Sequence, residues 1–164
     1  MPNSPAVHFK YSGDDERTRV WFEDGDSEEL LVTALGNDCY RLEESSLLGE
    51  ARYRDVIRAI RRADGGLLFH GIETRSDLVT QSWLLSEDIL DSTECGSLLC
   101  EVMAMGGNWE RAFGGLLLVH IPESSAAEIA ERVKKLTVRG RVSAQRPGET
   151  PILISGRKVG FSSI

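Results

Sequence analysis

The chain is divided by its own punctuation. Short β-prone runs end repeatedly in Gly, Asn or Asp, and such runs pack as a meander or small barrel rather than as helices. Arg19-Val20-Trp21-Phe22-Glu23 is followed by Asp24-Gly25-Asp26, residues 29–35 by Gly36-Asn37-Asp38, and then comes Cys39-Tyr40-Arg41-Leu42. Residues 53–62 fit two patterns. Tyr53, Val56, Ile57 and Ile60 fall at helical spacing, yet residues 55–60 also read as a strand leading to Ala63-Asp64-Gly65-Gly66. We prefer the hairpin, with residues 67–72 as its second strand, because glycine supplies the positive φ of a tight turn.

The pattern changes character from Leu78. Residues 78–85 read as a strand. Asp91 with Glu94 suggests a helix start, after which Cys95, Leu98, Leu99, Val102 and Met105 share a face as far as Gly106-Gly107. Residues 109–113 and 116–121 read as strands joined at Gly114-Gly115. Ser125 with Glu128 is a capping box, and Ala126, Ile129, Ala130, Val133 and Leu136 form the apolar stripe of a second helix. Residues 141–144 read as a closing strand. The expected fold is therefore α+β, a β-rich small-barrel-like module at 17–76 followed by a ferredoxin-like βαββαβ module at 77–144. Residues 1–16 read as a flexible N-terminus and residues 145–164 as a basic C-terminal extension. A sheet with helices on one face must bury the other. The N-terminal module or a second copy of the chain is expected to cover it.

Charge is unevenly spread. The net charge is -7, but residues 1–131 hold 11 Lys/Arg against 25 Asp/Glu, whereas residues 132–164 hold 8 basic residues and only Glu149. Arg132, Lys134, Lys135, Arg139, Arg141, Arg157 and Lys158 form a candidate interaction surface, or a tail that neutralises the acidic body. Nucleic acid is a disfavoured partner. Phe161 is the only aromatic in that stretch, so stacking is scarce, and the acidic body repels a polyanion.

Motifs of chemistry are sparse. Cys39, Cys95 and Cys100 are odd in number and show no CxxC spacing, the usage of free thiols in a reducing, cytoplasmic compartment. No signal-peptide core or run of about eighteen apolar residues occurs, so neither export nor a membrane anchor is expected. No GxGxxG, no GxxxxGK[ST] and no metal-ligand spacing is present, so no cofactor or metal is expected. Cys95, early in a helix, is the candidate reactive thiol, which His70 or His120 would have to serve as base. Its place on the stripe of Leu98, Leu99 and Val102 also suits a core cysteine. Trp21, Trp83 and Trp109, with His70 and His120, are candidates for lining a pocket, or else core anchors.

One family shares this order of motifs. Val20-Trp21-Phe22, Leu35-Gly36, Cys39-Tyr40-Arg41-Leu42, Asp55-Val56-Ile57, Leu67-Leu68-Phe69-His70-Gly71-Ile72, Gly114-Gly115-Leu116 and Val119-His120-Ile121-Pro122 together resemble the DUF4265 proteins of bacteria. The resemblance covers roughly residues 18–144. It implies a β-rich front half and favours the hairpin at 55–72. Members usually carry glycine where this chain has Arg54. The resemblance brings no substrate and no catalytic residue.

These readings favour a non-catalytic interaction protein, an inhibitor or immunity-type binder of a basic protein among them. A ligand-binding or regulatory module is the alternative, and a cysteine-dependent enzyme the last.

Overall fold

The computed structural model describes residues 14–144. The chain divides into two units between Ser76 and Asp77.

The first unit is a mixed sheet of five strands, β1 (Asp15–Trp21), β2 (Ser27–Gly36), β3 (Cys39–Leu42), β4 (Val56–Arg61) and β5 (Leu67–Thr74). Each pairs antiparallel with the next. β1 also pairs in parallel with β5, Val20 opposite Leu67 and Trp21 opposite Leu68, so the ladder returns to its first strand. Strand alternation aims one set of side chains inward. Val20, Leu30, Val32, Tyr40, Leu42, Ala51, Ile57, Ala59 and Leu67 form the interior, with Phe22, Phe69 and Ile72 against it. Each large aliphatic side chain so buried contributes about 1.5–3 kcal/mol. The β2–β3 turn is left-handed at three successive residues, Gly36 (φ 88), Asn37 (φ 54) and Asp38 (φ 59). Glycine tolerates that region freely, and Asn and Asp tolerate it best among the rest. Residues 53–62 are accordingly no helix: β4 and β5 form the hairpin.

The second unit runs β6 (Leu78–Leu84), α1 (Glu87–Leu90), α2 (Thr93–Ala104), β7 (Asn108–Ala112), β8 (Leu116–Pro122), a 3-10 turn (Glu123–Ser125) and α3 (Ala126–Ala144). Its sheet is antiparallel in the order β6-β8-β7. Leu117, Val119 and Ile121 of β8 pack with Cys95, Leu98, Leu99 and Val102 of α2 and Ile129 and Val133 of α3. Both helical stripes seen in the sequence thus face the sheet.

Two expectations are corrected. Residues 141–144 are the last turn of α3, not a closing strand, so the described order is β-α-α-β-β-α. Gly140 costs a helix only about 1 kcal/mol relative to alanine, and no proline follows until Pro147. A lone glycine inside a helix-forming run does not stop it. The cap of α2 is Ser92, whose side chain accepts from the Cys95 amide at 3.2 Å. Asp91 instead closes α1 and binds Arg111 at 2.9 Å.

Candidate functional site

Between β3 and β4 the chain makes an irregular excursion from Glu43 to Asp55, and side chains at both ends tie it down. Glu44 accepts from the Leu31 amide at 2.9 Å and pairs with Arg17 at 2.8 Å. Glu43 takes Arg41 at 2.6 Å and the Thr33 hydroxyl at 2.7 Å. This adjacent pair is thereby bonded to β1, β2 and β3. Asp55, only 2% exposed, accepts from the Arg52 amide at 2.9 Å, the Ser76 amide at 2.8 Å and Arg75 at 3.2 Å.

The middle of the loop hangs on Glu28 of β2. Its carboxylate accepts from the Ser46 hydroxyl at 2.7 Å, the Leu47 amide at 2.8 Å and the Leu48 amide at 3.4 Å. Ser46 Oγ in turn accepts from the Gly49 amide at 2.7 Å. The Arg52 guanidinium donates to the carbonyls of Ser46, Gly49 and Ala51. Gly49 lies so close to Phe22 that a Cβ there would sit 2.9 Å from the ring. Charge-assisted bonds of this kind are about twice as strong as neutral ones. What this framework holds up is apolar: Leu47 is 40% and Leu48 59% exposed.

The neighbouring β1–β2 turn is acidic. Glu23, Asp24 and Asp26 are exposed and make no ion pair among the described residues. The arginines of the same unit are engaged. Arg17, Arg19, Arg41, Arg58, Arg61, Arg62 and Arg75 each face a carboxylate. Arg54 lies over the Tyr53 ring. Residues 14–76 hold nine arginines and no lysine against fifteen carboxylates, a balance of -6.

A second polar cluster sits on the face of the β6-β8-β7 sheet opposite the helices. His120 is fully buried. Its Nε2 lies 2.5 Å from Glu110 and its Nδ1 2.9 Å from the Thr80 hydroxyl. A carboxylate only accepts, so Nε2 presents its proton to Glu110, while the Thr80 hydroxyl, which can donate or accept, meets Nδ1. The imidazole therefore bonds all three strands together. A hydroxyl, an imidazole and a carboxylate in line could relay a proton, but the sealed ring favours cross-strand bracing.

No family model and no curated protein matches the chain. Among solved structures, the chain is similar to a crystal structure of a hypothetical protein from Neisseria gonorrhoeae. The identity is 13% and the TM-score 0.52, over 76% of this chain and 89% of that one. The likeness is one of fold.

The residues singled out from sequence disperse. Trp83 and Trp109 pack against the helix-covered core, whereas His120 lies on the opposite face of that sheet. His70 is exposed on β5 and Trp21 stacks with Arg62 at 4.5 Å, both in the first unit. These five residues therefore line no common pocket within either unit. Cys95 is fully buried, and burial pushes its thiol above the ordinary range, as suits a core cysteine. Cys100 is exposed and Cys39 half-buried, both free. Arg132 is held by Glu101, Lys134 lies 4.0 Å from Glu131 and Lys135 is exposed. The backbone of Arg139 and Arg141 lies in α3, while Arg157, Lys158 and the C-terminal extension fall outside the described residues, as does the N-terminus to residue 13. Among the described residues no His/Cys/Asp/Glu group could hold a metal, and no helix is long and apolar enough to cross a membrane. The Leu47–Leu48 loop escaped the sequence reading. Its only local signal was Ser45-Ser46-Leu47-Leu48-Gly49, two leucines among turn residues.

Proposed function

We propose that this protein acts by binding another, basic protein through the acidic surface of its first unit. The observation that carries this is an asymmetry: the arginines of that unit are engaged, while Glu23, Asp24 and Asp26 stand exposed without an ion pair among the described residues. Such a surface attracts cations at long range and raises the rate of encounter with them. Nucleic acid is disfavoured as a partner of this unit, since a phosphate would have to displace carboxylates from seven of its nine arginines.

A native pull-down with mass spectrometry tests the reading, comparing the wild type with a triple variant E23K, D24K and D26K at low and high salt. Retention of a basic protein by the wild type, lost in high salt and in the variant, supports it. Retention indifferent to both, or no specific retention, would overturn it.

Two finer readings belong with this one. The strand order β6-β8-β7 with helices on one face supports placing the second unit near the ferredoxin-like arrangement, as a version open at the fourth strand. The DUF4265 resemblance draws support from Arg54, whose φ of 70 is the conformation in which glycine, usual there in that family, is unstrained.

A further inference from the structure

We infer that Leu47 and Leu48 anchor the apolar face of a cationic amphipathic segment of a partner protein, with Glu23, Asp24 and Asp26 engaging its charges. This rests on the proposed function and names its contact surface. Exposed leucines are common on protein surfaces and mean little singly. These two differ in how they are held. The loop spends the Glu28 carboxylate, the Arg52 guanidinium and the Ser46 hydroxyl on fixing its own backbone, and none of those bonds reaches the leucine side chains.

A fixed loop loses little conformational freedom on binding, and this is how affinity is gained from a small contact. Apolar anchors at the centre with charges at the rim are the arrangement of an energetic hot spot. The sign of the rim selects the occupant. A second copy would bring the same acidic turn against itself, and an anionic lipid surface would be repelled. An apolar face edged with lysine or arginine satisfies both parts of the site at once.

The test uses the full chain and three synthetic peptides: a leucine/lysine amphipathic helix, a leucine-free lysine peptide of equal charge, and a leucine/glutamate counterpart. Titrations at physiological salt are followed by backbone amide NMR. The leucine/lysine peptide is expected to bind tightest and to shift the amides of residues 22–28 and 45–50. A double variant, L47S with L48S, should keep the wild-type melting profile and weaken binding at least ten-fold. Equal binding of the lysine-only peptide, with no effect of the double variant, would overturn this inference and leave the acidic-surface reading standing. Tight binding whose shifts map away from residues 45–50 would overturn this inference as well, and if they also miss residues 22–28 the acidic-surface reading falls with it. Equal binding of the glutamate counterpart would remove the role of charge, and failure of every cationic peptide to bind would overturn this inference while the pull-down decides the acidic-surface reading.

Discussion

Glu28 and Leu47 lie nineteen positions apart, and the carboxylate of the first accepts from the amide of the second at 2.8 Å. One side chain of β2 thus fixes the backbone of a loop that belongs to β3 and β4. In E28Q the charge-assisted bonds to Ser46, Leu47 and Leu48 are lost. Stability should fall by about 1–3 kcal/mol, read as a lower urea midpoint. Hydrogen exchange at Leu47 and Leu48 should accelerate more than in strands β1–β5.

Gly107 meets β8 with no room to spare. A Cβ there would lie 2.3 Å from the carbonyl oxygen of His120. G107A should cost about 3 kcal/mol or more, since backbone rather than a flexible side chain must move. Circular dichroism melts would show it, and an unchanged melting temperature would contradict the packing described.

Phe113 is 85% exposed and adopts φ 50 in the β7–β8 turn. An aromatic gains nothing from that conformation and is strained in it. F113N should therefore stabilise the protein by about 1 kcal/mol, seen as a melting temperature higher by about 2–4 °C.

The three thiols should react in order of exposure. Ellman's reagent is expected to label Cys100 first and Cys95 only on unfolding. Burial raises the folded-state value of Cys95 above the ordinary 9.0. As pH rises past 9.0 the unfolded chain releases that proton first and is favoured. Stability falls with pH from that point until the folded thiol also ionises. C95A should show a shallower alkaline decline than the wild type.

Acid acts through the pair on the helices. The Arg132 guanidinium bonded to Glu101, one of its bonds at 2.8 Å, holds that carboxyl below its ordinary 4.5. The pair's contribution is present above 4.5 and is lost as pH falls from there through the folded-state value. The difference in urea midpoint between wild type and E101Q should shrink from pH 7 to pH 3.

Much of the fold could be read locally. The stripe Cys95-Leu98-Leu99-Val102 and the stripe Ile129-Val133 show their buried faces in their spacing, and the Gly65-Gly66 turn resolves residues 53–62 into a hairpin. Residues 141–144 misled, because the cost of one glycine has to be weighed against the whole helical run. The loop site was hardly legible. Glu28 and Leu47 are unremarkable in sequence, and only strand pairing brings them within hydrogen-bond reach.

By itself the sequence determined the class of most segments, the two helical faces, the odd set of thiols and the net acidity. These are local properties of period, propensity and composition. Tertiary structure decided which charges are spent and which are left. It placed carboxylates on seven of the nine arginines of the first unit, buried Cys95, set Trp83 and His120 on opposite faces of one sheet, and raised Leu47 and Leu48 on a pinned loop. Those outcomes depend on register and on contacts between residues far apart in the chain, which no local pattern encodes.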